Sequence, residues 1–470
     1  MSINIFNRES AKLASSIKTR SPPDLLNNDI AITLRKMTLP MIVGMVVLMT
    51  FGLVDTFFIG MLGTQQLAAI SFTFPVTFTV ISLNIGLGIG TSAIIAKLLG
   101  AGQQDQAKET ATGALMLTMV LAIVLAVIGI MTMEPIFRLM GANEEQLVFI
   151  KEYMSVWYAA GVFLAMPMVG NSVLRASGDT KTPSYVMAFG GLINVVLDPI
   201  LIFGWGPIPA FGIQGAAIAT LVAWTVGLFY IMYVLAVERK LIEPKLLNWQ
   251  QLKRSTGGIL KIGLPAAGAN MLTPFSAGIV TAIVAGYGPQ AVAAWGVGGR
   301  LESIASIVVL SLSMSLPPFI SQNFGANKLE RVIQAYSLCV KFVIVWQLII
   351  FALLAVLSSV IANIFTNEPE VSSTIILFLV IVPLGYGMQG VTILTNSSFN
   401  AMHMPMSALS LNAMRLFVFF VPFSFMGSYW FELLGLFWAA VLANLAVGCI
   451  AFVWCKTILT SRFKQNVLSN

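Results

Sequence analysis

Residues 41–62 read MIVGMVVLMTFGLVDTFFIGML, an apolar stretch that is long enough to cross a bilayer as a helix and is interrupted by one acid, Asp55. A second stretch, YVMAFGGLINVVLDPILIF at residues 185–203, contains Asp198 in the same way. Because an ionised carboxylate is strongly disfavoured in hydrocarbon, acids at this depth indicate an ion or proton pathway. The alternative is a structural ion pair with another helix. Neither acid has an opposite charge within one helical turn in the sequence.

The composition of the whole chain indicates the protein class. Its 470 residues are 57% hydrophobic and only 10% charged, with a mean hydropathy of +0.89. A soluble domain has roughly 25% charged residues. No segment is left over for a soluble catalytic domain, so we predict an all-α polytopic membrane protein. Twelve transmembrane helices are expected, at about residues 34–60, 68–96, 111–133, 148–174, 184–204, 213–236, 258–285, 291–322, 333–362, 371–398, 406–427 and 434–455.

The distribution of Lys and Arg predicts the orientation. Basic residues precede the first span, occur in every second connection and follow the last span, whereas most of the alternate connections contain none. The exception among those is residues 134–147, which contain Arg138. Because basic residues gather on the cytoplasmic side, both termini are expected there. This bias also explains the net charge of +7, so no nucleic-acid partner is implied, and we expect a monomer.

The chain repeats itself at a constant offset of 225 in residue number, which we call the repeat offset. Because each repeat holds six spans, an even number, the halves should share one orientation and be related by a pseudo-two-fold axis along the membrane normal. Transporters commonly bind substrate between such repeats and alternate its access. The matching dipeptides include residues 39–40 with 264–265, 100–101 with 325–326 and 171–172 with 396–397. We expect a tail (1–30), a first six-helix bundle (31–236), a linker (237–257), a second bundle (258–457) and a tail (458–470).

The two acids belong to the first repeat alone. Val280 occupies the position that matches Asp55 at the repeat offset, and Val421 occupies the position that matches Asp198 after small gaps that reduce the offset there to 223. Helix packing that is common to both halves therefore does not require the acids. This asymmetry favours a functional role over a structural ion pair.

Three motifs resemble those of a known family: VDTFFIG at residues 54–60, LRASGDTKTP at 174–183 and NVVLDP at 194–199. They are similar to the multidrug and toxic compound extrusion (MATE) transporters, within the multidrug/oligosaccharidyl-lipid/polysaccharide exporter superfamily. The resemblance covers about residues 30–460. It implies efflux of amphiphilic or cationic organic compounds by alternating access, in exchange for H⁺ or Na⁺, without a cofactor.

The resemblance is stronger to one branch of the family than to another. The NorM-like branch has an acid in the seventh span and another three residues before a Gln in the tenth, but here the seventh span lacks an acid and Tyr386 precedes Gln389. The DinF-like pattern has an acid in the first span and Asn-x-x-x-Asp in the fifth, as Asp55, Asn194 and Asp198 provide. The resemblance implies that the ion-coupling cluster also contains Asn171, Thr220 and, by spacing alone, Tyr153.

The chemistry of these residues agrees with ion coupling. Asn194 and Asp198 are four residues apart, so on a helix the amide is expected to donate to the carboxylate. Two desolvated acids can hold a shared proton, and their oxygens would also suit Na⁺ at Asp55, Asp198 and Asn194. The residues leave the ion open, and the DinF-like match favours H⁺. We expect no other metal.

Polar residues in the second half are expected to contribute to a substrate cavity: Arg300, Tyr386 and Gln389. Arg300 has the alternative of bonding to a helix end, and the same two readings apply to Arg415. His403, the sole histidine, is expected in a cytoplasmic loop without a metal or acid–base role.

Other functions fit the sequence less well. A flippase for lipids or lipid-linked saccharides, from the same superfamily, would need more basic residues in its cavity. An intramembrane enzyme would need a nucleophile with a base, or a metal cluster, which one peripheral histidine does not supply. A sensor would need a domain outside the membrane. We therefore predict a transporter and not an enzyme.

Overall fold

The computed structural model describes residues 23–243 and 247–469, except for the side chains of Thr64 and of residues 465–469. The described residues form twelve membrane helices, α1–α12, which confirms the predicted fold class. We call α1–α6 the first half and α7–α12 the second half. The first half comprises α1 (Ile30–Leu62), α2 (Thr64–Gly100), α3 (Gln104–Leu139), α4 (Glu144–Ala159 and Gly161–Ala176), α5 (Lys181–Phe203) and α6 (Ile213–Tyr233, continued by the π-helical Val234–Glu238).

The second half contains more breaks. It comprises α7 (Trp249–Ala285), α8 (Pro289–Ala305 and Ile307–Gly325), α9 (Leu329–Val356 and Ser358–Phe365), α10 (Pro369–Ile381, the 3-10 turn Val382–Gly385 and Tyr386–Ala401) and α11, which begins with Pro405–Ala413 and the π-helical Met414–Phe420. The element Val421–Ser469 then contains the rest of α11 and all of α12. Non-helical backbone at Phe431 and Glu432 separates them.

The predicted linker and C-terminal tail are partly helical. The α7 helix begins at Trp249, inside the segment that we assigned to the linker. It starts there because Asn248 and Gln251 form a capping box, with each side chain accepting from the other's backbone N–H at 2.9 and 3.1 Å. Likewise, helix continues to Ser469 through residues that we assigned to the tail. Hydropathy marks the membrane portion of a helix and not its full length.

The helix boundaries follow the repeat offset found in the sequence. The bounds of α2 (Thr64–Gly100) become those of α8 (Pro289–Gly325) when 225 is added, and the bounds of α4 (144–176) become those of α10 (369–401) in the same way. The break in α4 at Ala160 matches Gly385, where the 3-10 turn of α10 ends. The two halves therefore share these helix bounds and this break.

Both described ends of the chain lie at one end of the helices, which we call the terminal face. The carbonyl of Leu25 accepts from the Nδ2 of Asn323 at 3.0 Å. The guanidinium of Arg462, near the other end of the chain, lies 5.3 Å from the ring centroid of Phe324. A chain that crosses the membrane an even number of times must have both of its ends on the same side.

Symmetric contacts between the halves surround the pseudo-two-fold axis close to the terminal face. A Cβ on Gly100 would lie 2.6 Å from the carbonyl carbon of Gln322, and a Cβ on Gly325 would lie 2.9 Å from that of Lys97. These two contacts exchange when 225 is added to one pair and subtracted from the other. Small residues permit this close approach of backbones in membranes. A second symmetric set pairs Thr38 with Ser315 (hydroxyl oxygens 2.8 Å apart) and Gly263 with Gly90.

The same helices are apart at the opposite face. A Cβ added to Gly52 on α1, or to Gly278 on α7, would meet no atom of a neighbouring element within 4 Å. The side chains of Phe57 and Phe275, on the same helices, are 64% and 58% exposed. The contacts between the halves described above all lie near the terminal face, so we infer that the halves are closed there and that a cleft between them opens toward the opposite face.

Candidate functional site

Parallel packing of α1 on α5 sets Asp55 level with Asp198. Near the terminal face, a Cβ on Gly44 would lie 3.2 Å from the Cα of Ser184. Toward the opposite face, the rings of Phe58 and Phe203 have centroids 6.3 Å apart. Between these two contacts, Asp55 falls on the interface at the height of residues 194–198.

The carboxylates are held in a nearly dry environment. Asp198 is 0% exposed and Asp55 is half-buried. Both carboxylate oxygens of Asp198, and Oδ1 of Asp55, are buried without a hydrogen-bond partner. An ionised carboxylate is strongly disfavoured in such surroundings unless a donor or a cation approaches it. Asp198 therefore requires a proton, a cation or a rearrangement that supplies donors.

Asn194 does not make the hydrogen bond that its spacing predicts. Its Nδ2 donates to the carbonyl of Gly190 at 3.2 Å, and its Oδ1 is buried without a partner. The prediction of an Asn194–Asp198 bond is wrong in this conformation, because the carbonyl one turn earlier competes for the amide. Asn194 is 2% exposed, so the amide remains a buried neighbour of the acids.

Pro199 leaves a backbone carbonyl near Asp198 without its usual helical hydrogen bond. It lies inside α5 and has no N–H. The carbonyl of Val195, four residues earlier, is therefore left without its usual helical donor. A free backbone oxygen next to a buried carboxyl is a suitable ligand for a cation and a suitable acceptor for a protonated acid.

Tyr153 and Thr220 lie beside the two acids. The Tyr153 hydroxyl lies close enough to Asp55 and Asp198 to interact electrostatically with both. Its side chain packs on the apolar cluster of Ile59, Ile202 and Ala216. The α6 helix runs antiparallel to α5, with Gly215 against Leu201 and Gly227 against Val186. Thr220 falls between these contacts, near the height of Asn194, and is 8% exposed.

Asn171 lies nearer the terminal face than the other predicted residues. It is five residues from the end of α4, or about 8 Å, whereas Asn194 is about 20 Å into α5 at 1.5 Å per residue. Its neighbour Gly170 faces Ile231 of α6. The Asn171 Oδ1 is buried without a partner, and no hydrogen bond joins it to either aspartate in the described part of the chain.

A second polar cluster lies in the second half. The Nε2 of Gln389, on α10, donates to the Oε1 of Glu302, on α8, at 2.8 Å. The hydroxyl of Tyr386 is buried without a partner. Glu302 lies close enough to Tyr386 and to Arg415 to interact electrostatically with both. Tyr386 and Gln389 are thus brought together, whereas Arg300 lies on an exposed surface of α8.

Sequence reasoning missed the partnership of Glu302 and Arg415 with this cluster. We looked for an acid in the seventh and tenth spans, but the structure supplies one from the eighth. The available signal was a charge inside each of two apolar spans. Their meeting depends on how α8, α10 and α11 pack, which spacing within one helix does not contain.

Comparisons with known proteins agree with this architecture. The MatE family model matches residues 40–200 and 265–426, two segments whose first residues differ by the repeat offset. The FAD transporter of Shewanella oneidensis is 40% identical over 434 residues, which cover 92% of this chain and 96% of that protein. The probable multidrug resistance protein YoeA of Bacillus subtilis is 29% identical over 411 residues, covering 85% and 88%.

A solved structure is also similar. The MATE transporter VcmN of Vibrio cholerae, in its bent form, superposes with a TM-score of 0.87 at 35% identity, covering 92% of this chain and 97% of that one. The fold, the matched segments and the relatives agree. The chain belongs to the MATE family, whose members are transporters and not enzymes.

Proposed function

We propose that the protein is a secondary active exporter of amphiphilic or cationic organic compounds, driven by H⁺ entering through the carboxyls of the first half. The observation that carries this proposal is the pair of acids, Asp55 and Asp198, with buried and unpartnered oxygens on adjacent helices. The repeat places valine at both matching positions, so the pair is not needed for the shared fold. The name of YoeA, a probable multidrug resistance protein, supports drug-like substrates.

Proton binding would act through hydrogen bonding. A carboxylate only accepts hydrogen bonds, whereas a carboxyl also donates. A protonated Asp55 or Asp198 would therefore gain the buried acceptors nearby, the Oδ1 of Asn194 and the carbonyl of Val195. New bonds across the α1–α5 interface would shift α1, which contains Pro40 and is weakened there. We propose that this shift narrows the cleft and releases the substrate.

The direction of transport follows from the orientation that we propose. The terminal face would be cytoplasmic, as the basic residues favour, so the cleft opens to the outside. Alternating access then requires the contacts at the terminal face to part. The protein would work as a monomer in a bacterial cytoplasmic membrane.

Sodium is the alternative coupling ion. Asp55, Asp198, Asn194 and the carbonyl of Val195 would offer it oxygen ligands. H⁺ is our proposal because a shared proton needs no further ligands, whereas a Na⁺ site needs several oxygens directed at one point.

A flavin nucleotide is a second candidate substrate. Its support is the 40% identity to a protein named an FAD transporter, over nearly the full length of both chains. FAD is amphiphilic, as proposed above, but it is an anion and not a cation.

Separate gradients test the proposal. Purified protein in liposomes would receive a pH gradient, a Na⁺ gradient or neither, and the movement of ethidium and FAD would be measured. We expect movement driven by the pH gradient alone. Asp55→Asn should abolish it, and Asp105→Asn, the same change at an exposed acid, should preserve it. Movement that needs only Na⁺ would replace H⁺ as the ion, and no driven movement would refute the proposal.

A further inference from the structure

One face of α10 carries a column of polar side chains. Tyr386, Gln389 and Asn396 are three and seven residues apart, so they lie on the same side of the helix. Gln389 donates to Glu302 of α8, as described above. The Nδ2 of Asn396 donates to the Oδ1 of Asn412, on α11, at 2.6 Å. The column therefore faces the space between α8, α10 and α11.

Arg415 lies between the two hydrogen-bonded pairs. It follows Asn412 by three residues on α11, which runs antiparallel to α10. This position places it between the Asn396–Asn412 pair and the Gln389–Glu302 pair. The Glu302 charge acts on it, but its guanidinium makes no ion pair and no hydrogen bond to any residue that the structure describes. A half-buried guanidinium in a membrane span is thus left with open donors.

The backbone is irregular on every helix of this cluster. The α8 helix breaks after Ala305, a 3-10 turn ends directly before Tyr386, and Arg415 lies inside the π-helical Met414–Phe420. Irregular backbone at membrane depth is tolerated where it is enclosed by protein or lines a cavity, and π-helical turns occur often at functional sites. Two atoms of the cluster, the Tyr386 hydroxyl and the Asn396 Oδ1, are buried without partners.

The repeat relates this cluster to the first-half site. Asn396 is the residue that matches Asn171 at the repeat offset. The two clusters differ in charge: the first half contains two acids, and the second contains Arg415 with one acid, Glu302, which already accepts from Gln389. The first-half cluster is therefore acidic, whereas the second-half cluster contains a guanidinium without an ion-pair partner among the described residues.

We propose that Arg415, with Tyr386 and Gln389, binds an anionic group of the transported compound, either a phosphate or a carboxylate. A guanidinium presents several N–H donors in a planar fork that fits both groups, and a phenol hydroxyl adds another donor. A cationic group would be repelled by Arg415. This inference rests on the proposed export function and extends it to the class of substrate.

Paired ligands test the inference and separate the two anions. FAD would be compared with riboflavin, which has the same ring without phosphate, and norfloxacin with its methyl ester, which lacks the free carboxylate. Binding to the full chain in nanodiscs and export from liposomes would both be measured. We expect Arg415→Gln to weaken the binding of the preferred anion at least tenfold, to change the binding of riboflavin and the ester less than twofold, and not to weaken the binding of the cation ethidium. Arg415→Lys retains the charge but not the planar fork of N–H donors, so its affinity for the preferred anion should lie between those of the wild-type protein and Arg415→Gln.

Controls separate recognition from folding and from the proposed function. Lys341→Gln removes a positive charge from an exposed position on α9, outside the cluster, and should change no affinity. Equal weakening of all ligands by Arg415→Gln, or unchanged binding of both anions, would overturn the inference. Wild-type protein that exports ethidium but prefers neither FAD to riboflavin nor norfloxacin to its ester would overturn it while the proposed function stands. Failure to export any of the probes would refute the proposed function itself.

Discussion

A methyl group added to a glycine at the terminal face should disfavour the conformation that is closed there, because the new atom would overlap the other half by a known distance. In Gly100→Ala the new Cβ would lie 2.6 Å from the carbonyl carbon of Gln322. Ordinary contact between carbon atoms begins at 3.4 Å or more, so the halves must separate by at least about 0.8 Å, and by more to clear the carbonyl oxygen of Gln322, which lies nearer still. Overpacking of this kind costs typically about 1–3 kcal/mol. Because only the state that is closed at the terminal face makes this contact, that state should become roughly 5- to 140-fold less favoured, since each ~1.4 kcal/mol is a factor of ten.

Distance measurements across the opposite face test this shift. Spin labels at Gln65 and Gln290, which are exposed and occupy matching positions of the two repeats, would report the width of the cleft in a variant without other cysteines. Gly100→Ala should raise the population of short distances, as should Gly325→Ala at the symmetric contact. Gly257→Ala, at a helical glycine with open space around it, is the control. A Gly100→Ala distribution and melting temperature equal to those of Gly257→Ala would refute the reasoning.

Three further predictions concern pH, topology and the repeat. Burial, with the nearby Lys97, lowers the pKa of His403 to about 4, below its ordinary 6.5. The folded protein therefore excludes a proton that the unfolded chain accepts, and stability should fall as the pH drops from 6.5 toward 4. Melting curves of His403→Gln should lose this dependence, and an unchanged slope would contradict the assignment. Reporter fusions at Gly141 and Asn248 should appear outside and inside the cell, respectively, and not on the same side. Val280→Asp should not restore ion-coupled transport to Asp55→Asn, because its helix belongs to the other half.

The sequence predicted most of the fold because its strongest signals are local. Long apolar segments define spans independently of how they pack, and the repeat offset identifies the two halves. The helix ends were less predictable, since the polar capping box of Asn248 and Gln251 lies outside the apolar window. The breaks in α8, α10 and α11 were also missed, because they depend on packing as well as on proline and glycine.

The first-half site was more predictable than the second-half cluster. Asp55 and Asp198 are conspicuous because each is an acid inside an apolar span. The bond of Asn194 was predicted wrongly because a helical amide has two acceptors within reach, and the sequence does not rank them. Glu302 and Gln389 are 87 residues apart, so their hydrogen bond appears only once α8 and α10 are packed.

The most direct test of the central claim is the proton flux that accompanies substrate movement. Liposomes that contain the protein and an internal pH-sensitive dye would receive an outwardly or inwardly directed substrate gradient, with Na⁺ absent. We expect wild-type protein to move protons against the substrate, and Asp198→Asn, which retains the size of the side chain but cannot ionise, to bind substrate without moving protons. Proton movement by Asp198→Asn at the wild-type rate, or none by the wild-type protein, would contradict coupling through the first-half carboxyls.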